Sequence, residues 1–205
     1  MEGPEMDEQA NPRWRGINHL ALVCSDMDAT VRFYVGVLGA RLVATVGTSA
    51  FRHYFFEIGV GNTLAFFEYQ DVPIEHFAKP AGVPSPKAVQ FDHLSFALVD
   101  EEALLDMRSR LKAANCEVTD VVDHGFIRSI YFNDPNGIAL EASYWVVDPT
   151  GWAEVSLDDD RLFGDRDPVA AVEELRSTGT LAHVPGTKLV DEFTSTTEDW
   201  VVKES

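Results

Sequence analysis

The chain has 205 residues, 45% of them hydrophobic, enough for one domain with a buried core plus a tail. Its 34 acidic residues against 16 basic ones give a formal net charge of -18, which argues against a phosphate-binding surface and a nucleic-acid partner. No apolar run approaches the length of a membrane span, and the N-terminus MEGPEMDEQANPRWRG has neither the basic start nor the apolar stretch of a signal peptide, so a cytoplasmic protein without a membrane partner is expected.

A flexible N-terminal segment over residues 1–14 is expected to precede the first element. Ile17 to Leu22 reads as a strand, Asp26-Met27-Asp28 as a helix start, and Ala29 to Leu38 as an amphipathic helix stopped by Gly39. Val31, Tyr34, Val35 and Leu38 recur there at helical spacing. Strand-like runs follow at Arg41 to Val46, Phe51 to Ile58 and Thr63 to Tyr69, separated by Gly-containing turns. Pro73, Pro80, Gly82, Pro84 and Pro86 mark a linker.

The same plan then recurs. Phe91 to Phe96 matches the first strand with its His in the same place, so that His19 and His93 lie 74 positions apart. Glu101 to Ala114 supplies the helix, with Leu104, Leu105, Met107, Leu111 and Ala114 largely on one side. Val118 to Val122, Ser129 to Phe132 and Ile138 to Trp145 supply three strands. The last two meet at Asp134-Pro135-Asn136-Gly137, in which Pro fixes φ and Asn or Gly accepts positive φ. Beyond Pro149 neither repeat continues. Asp167-Pro168 leads a short helix over Val169 to Arg176, Gly179 ends it, and the remainder reads as extended. The acidic runs Glu2 to Glu8, Asp158 to Asp160 and Asp191 to Glu204 are expected to serve solubility.

Several side chains in this plan bear chemistry. Strand alternation sets Glu141 on one face with Ala139 and Ser143, opposite Leu140, Ala142 and Tyr144, which leaves room around a carboxylate for a metal or substrate. An edge-strand Glu turned to water is the bland alternative. A single strand His is ordinarily satisfied by a neighbouring carbonyl, but nothing in strand packing asks for one twice at matched places. Phe66 and Glu68 share a face of their strand; Phe66 is placed nearer the centre and Glu68 nearer the rim. His53, His76 and His183 have no matched partners and read as structural or surface residues, although His53 alternates with aromatics that could line a hollow. Cys24 and Cys116 form neither a metal-binding pair nor a disulfide framework.

The run Val122 to Glu141, VDHGFIRSIYFNDPNGIALE, joins these observations. His124, five residues, Ile130-Tyr131, the Asp134 to Gly137 turn and Glu141 resemble in order and spacing the signature of extradiol ring-cleavage dioxygenases. These belong to the vicinal oxygen chelate superfamily, the glyoxalase, bleomycin-resistance and dioxygenase group. Over roughly Arg15 to Val147 the duplicated βαβββ pattern also resembles that superfamily. The resemblance implies an α+β fold of two tandem βαβββ modules, about 15–72 and 89–147, forming a cup-shaped half-open barrel, with a C-terminal extension over 148–205. It implies a metal held by His19, His93 and Glu141, with Glu68 as a further candidate. The metal would be divalent, with Fe(II) first and zinc, nickel or manganese as alternatives. It further implies His124 in proton transfer, Tyr131 hydrogen-bonding near the substrate, a catechol or other vicinal oxygen substrate, and a homodimer. Two other readings stand beside this one. They are a glyoxalase-type lyase or isomerase using Glu68 as an extra ligand, and a binding protein of the bleomycin-resistance kind without metal chemistry.

Overall fold

Alternating apolar strands and two capped helices build two separate four-stranded sheets in the computed structural model, which describes residues 16–74, 79–85, 91–182 and 186. His76, His183, Pro86, the segment 1–14 and the acidic run from Asp191 to Glu204 lie outside the described residues.

The first module contains β1 (His19–Val23), α1 (Met27–Val31), β2 (Arg41–Gly47), β3 (Phe51–Gly59) and β4 (Asn62–Tyr69), with the strands in spatial order β1-β4-β3-β2. β1 runs parallel to β4, with His19 opposite Thr63 and Ala21 opposite Ala65, and the other neighbours are antiparallel. Asp26 caps α1 by accepting from the Ala29 N–H at 2.9 Å. The helix does not stay α-helical to Leu38 as its periodicity suggests. Arg32–Val37 form a π-helical turn, closed by the Leu38 N–H donating to the Phe33 carbonyl at 3.0 Å. Arg110, from the second module, donates to the carbonyls of Gly36 and Val37 at the end of that turn. Gly39, at φ 78°, then reverses the chain into β2.

The second module repeats the order with β5 (Leu94–Ala97), α2 (Glu101–Ala113), β6 (Val122–Asp123), β7 (Ile127–Asn133) and β8 (Ala139–Trp145), arranged β5-β8-β7-β6. β5 is parallel to β8, with Ser95 opposite Glu141. Two boundaries differ from the sequence expectation. The strand expected over Val118 to Val122 is only the two-residue β6, preceded by a single bridge from Val118 to Phe132, because Thr119 spends its hydroxyl and its N–H on the Tyr131 backbone. His93 also lies one residue before β5 rather than within it.

Both sheets turn one face to the helices. Phe56, Leu64 and Phe66 from the first sheet, Ile130, Phe132, Leu140 and Ala142 from the second, and Phe33, Tyr34, Leu104 and Leu111 from the helices form one apolar cluster. The two modules therefore share a core and make one compact unit that ends at Trp152. The chain beyond it is a second unit containing α3 (Ala170–Thr178), which ends at Gly179 in the left-handed conformation and has no side-chain cap at its start. α3 begins two residues after Pro168, not at its first turn.

Candidate functional site

The faces turned away from the helix-side core carry Glu141 and Tyr131 on the second sheet and His19 and His53 on the first. On the second sheet, Glu141 is only 6% exposed, between Ala139 and Ser143 as alternation predicts. Its Oε2 lies 2.9 Å from Nε2 of His93. The other ring nitrogen of His93, Nδ1, donates to Oδ1 of Asp92 at 2.6 Å. Asp92 in turn accepts from the Gly82 N–H at 2.8 Å and pairs with Lys79. These donors, the backbone amide of Gly82 foremost, hold the Asp92 carboxyl far below the usual carboxylate range.

A neutral imidazole has one N–H. Once Nδ1–H is given to Asp92, the Nε2 lone pair faces the Glu141 carboxylate, and two acceptors at 2.9 Å repel unless a cation, either a proton or a metal, lies between them. The chemistry of this donor pair therefore fits a divalent metal: a neutral imidazole with its N–H engaged by a carboxylate, next to a buried carboxylate.

Tyr131 stands directly across the β7/β8 pair from Glu141, edge-on to the His93 ring with centroids 6.0 Å apart. Burial first, and then the Glu141 charge, raise the Tyr131 pKa, so its phenol keeps its proton and remains a donor. Its oxygen is 2.8 Å from Nε2 of His124. His124 sits in the exposed turn before β7, where Gly125 adopts φ 86°. Glu141, His93, Tyr131 and His124 thus form a continuous chain of contacts on one face.

His19 is not part of that cluster. It is exposed on β1 of the first sheet, its Nδ1 bonded to Oδ1 of Asn18 at 2.7 Å and its ring 5.5 Å from Phe55 and 6.5 Å from His53. His53 stacks on Phe67 at 3.6 Å, and burial, then the neighbouring His19, lower its pKa. Its Nε2 is buried without a hydrogen-bond partner among the described residues. Among the described residues no group of three His, Cys, Asp or Glu side chains could hold a metal ion. Within one chain the structure brings His93 and Glu141 together and leaves His19 apart.

The placement of Phe66 and Glu68 needs correction. The residues on the His19 face of β4 are Thr63, Ala65 and Phe67, and those on the helix face are Leu64, Phe66 and Glu68. Phe66 is fully buried against Tyr34 and Phe56. Glu68 accepts from the Met27 N–H at 3.0 Å, at the start of α1, and pairs with Arg52. Sheet register identifies the true counterpart of Glu141. Glu141 lies opposite the residue two after His93, and Ala65 lies opposite the residue two after His19. The first module therefore has a methyl group where the second has its carboxylate. Asn18 and Asp92 were missed in the sequence, although both precede the repeated His and both can accept a hydrogen bond.

A model of the Glyoxalase/Bleomycin resistance protein/Dioxygenase superfamily matches residues 16–142, and the chain belongs to that superfamily. It is 27% identical over 128 residues to the uncharacterized protein YaeR of Escherichia coli (strain K12), covering 61% of this chain and 92% of YaeR. It is 28% identical over 129 residues to the metallothiol transferase FosB of Staphylococcus haemolyticus (strain JCSC1435), covering 62% of this chain and 81% of FosB. Among solved structures, a glyoxylase/bleomycin resistance protein/dioxygenase domain from Frankia sp. EAN1pec matches with a TM-score of 0.56 at 22% identity, over 64% of this chain and 98% of that domain. That likeness shows the two-module fold.

Proposed function

We propose that this protein is a metal-dependent enzyme of the dioxygenase-like branch of its superfamily, acting on a catechol or another small molecule with two vicinal oxygens. The observation that supports the reading is the contact chain from His93 and Glu141 through Tyr131 to His124, in which His124 and Tyr131 would move protons beside His93 and Glu141 as ligands. His19, His93 and Glu141 would hold the metal, two imidazoles and one carboxylate being the donor set that suits Fe(II) and leaves positions open. When bound, the metal supplies Lewis-acid chelation of the two substrate oxygens and, as Fe(II), redox chemistry with oxygen.

Because His19 stands apart from the pair within one chain, a second copy supplies it in this reading: His19 of one protomer joins His93 and Glu141 of its partner. The chain's own groups do the rest. Tyr131 donates to a substrate oxygen, and His124, bonded to the same phenol, takes and returns the proton. A cleft of about 700 Å³ reaches Tyr131 from the side of Phe33, Pro80 and Thr119, while His93, Glu141 and His124 lie outside its lining.

The test loads purified protein with Fe(II) anaerobically, adds substituted catechols and oxygen, and follows oxygen uptake and ring-opened product. His93→Ala should lose at least about an order of magnitude in metal affinity. Stoichiometric metal in that variant would remove His93 from the ligand set. A second reading, metallothiol transfer, is favoured by the similarity to FosB. If the iron-loaded protein opens no catechol but consumes a small thiol in a metal-dependent way with an electrophilic acceptor, that reading takes the place of the first. The lyase reading with Glu68 as a ligand loses its support, since Glu68 faces α1 and Arg52.

A further inference from the structure

The residue before each repeated histidine makes the same contact in both modules. Asn18 Oδ1 accepts from Nδ1 of His19 at 2.7 Å, and Asp92 Oδ1 accepts from Nδ1 of His93 at 2.6 Å. In each case the bond pins Nδ1 as the N–H and leaves Nε2 as the lone pair, the form in which an imidazole binds a metal; in His93 that nitrogen faces the Glu141 carboxylate at 2.9 Å. The main chain beside the first acceptor is anchored as well, the Asn18 backbone carbonyl accepting from the Thr63 hydroxyl at 2.7 Å and the Thr63 N–H at 3.2 Å. Asp92 is held by the Gly82 N–H and the Lys79 ammonium from the segment between the modules.

We propose that Asn18 and Asp92 are matched positioning residues, which set the tautomer and ring direction of His19 and His93 for a divalent cation. The proposal rests on the metal reading above and deepens it. One module uses a neutral amide and the other a carboxylate, so the shared requirement is a hydrogen-bond acceptor at that place, and charge is secondary. An acceptor with no such role would be interchangeable with any small residue.

The experiment measures Zn(II) affinity of the full chain by competition with a chromogenic chelator. It also records the ¹⁵N imidazole spectrum of the zinc-loaded protein, which reads the tautomer directly, and thermal unfolding of each metal-free variant controls for folding. Asp92→Ala is expected to weaken binding by about 10- to 100-fold and to disperse the His93 tautomer signal, whereas Asp92→Asn keeps the affinity within about threefold. Asn18→Ala should behave like Asp92→Ala, with Asn18→Asp restoring binding. Wild-type affinity and tautomer in Asp92→Ala would overturn the proposal while a metal-free His93→Ala control leaves the metal reading standing, as would equal losses in Asp92→Ala and Asp92→Asn. A wild-type chain that binds no zinc would end both.

Discussion

His93 lies between two carboxylates, and His124 and Tyr131 extend the same line of contacts. If His124 moves protons there, His124→Ala should reduce turnover of the best catechol by about 10²- to 10⁴-fold while bound metal stays constant, since general acid–base assistance is worth about that much. Tyr131→Phe keeps the ring against His93 and loses one hydrogen bond, so its loss should be smaller. Equal metal and turnover losses in His124→Ala would show that the residue acts through the fold. Cys24 is fully buried, and its thiol is pushed up to about 11, chiefly by burial. It should therefore resist iodoacetamide in the folded protein and react only on unfolding, as mass spectrometry of alkylated samples would show. At this scale residue types and matched places were legible, but which face of β4 carried the ligand position was not. Loop lengths between β1 and β4 do not transmit parity, so Phe66 and Glu68 were read on the wrong side and Ala65 was not noticed.

The turn Asp134 to Gly137 shows what an element can do beyond reversing the chain. Gly137 takes φ 80°, as the sequence anticipates. The Asp134 carboxylate is nevertheless 6% exposed and accepts from the N–H groups of Asn136 and Ile138, at 2.8 and 2.9 Å, and from the Tyr34 hydroxyl of the first module at 3.2 Å. Asn136 reaches Thr30 at 3.2 Å on the same helix. This hairpin is thus a polar lock between the modules inside an apolar core. Tyr34→Phe should lower stability by about 1.5–3 kcal/mol, the range for a hydrogen bond to a charged group. Asp134→Ala should cost more, because two N–H groups and a hydroxyl are left buried without an acceptor. Urea unfolding of both variants and of the double variant measures the coupling, and additive effects would show that the lock contributes nothing as a unit.

Across the whole molecule, the strands, both main helices and the repeat follow from local pattern, yet the three proposed ligands do not meet in one chain. β2 is exposed along its full length, with Leu42, Val43 and Val46 each about 40% accessible, an edge suited to cover by another surface. The cross-copy site makes a sharp prediction. His19→Ala and His93→Ala proteins, each deficient in metal alone, should on unfolding and refolding together recover one intact site in each mixed dimer, seen as restored zinc stoichiometry. A mixture that stays deficient would place the whole site within a single chain. Sedimentation at micromolar concentration should show a dimer of the wild-type chain.

By itself the sequence determined the two-module plan, most of the strands, the long helix of the second module, the helix start at Asp26 and the turn at Asp134 to Gly137. These follow from periodicity, turn chemistry and a repeated pattern, all of which act over a few residues, whereas the convergence of His93 and Glu141 was implied by the resemblance to the superfamily. Only the tertiary structure decided that Glu68 caps α1, that Ala65 is the counterpart of Glu141, that Asp134 locks the modules, and that His19 stands on a separate sheet from His93. Each of those depends on sheet register or on the packing of one module against the other, and register across loops of unequal length is set by the fit of whole faces.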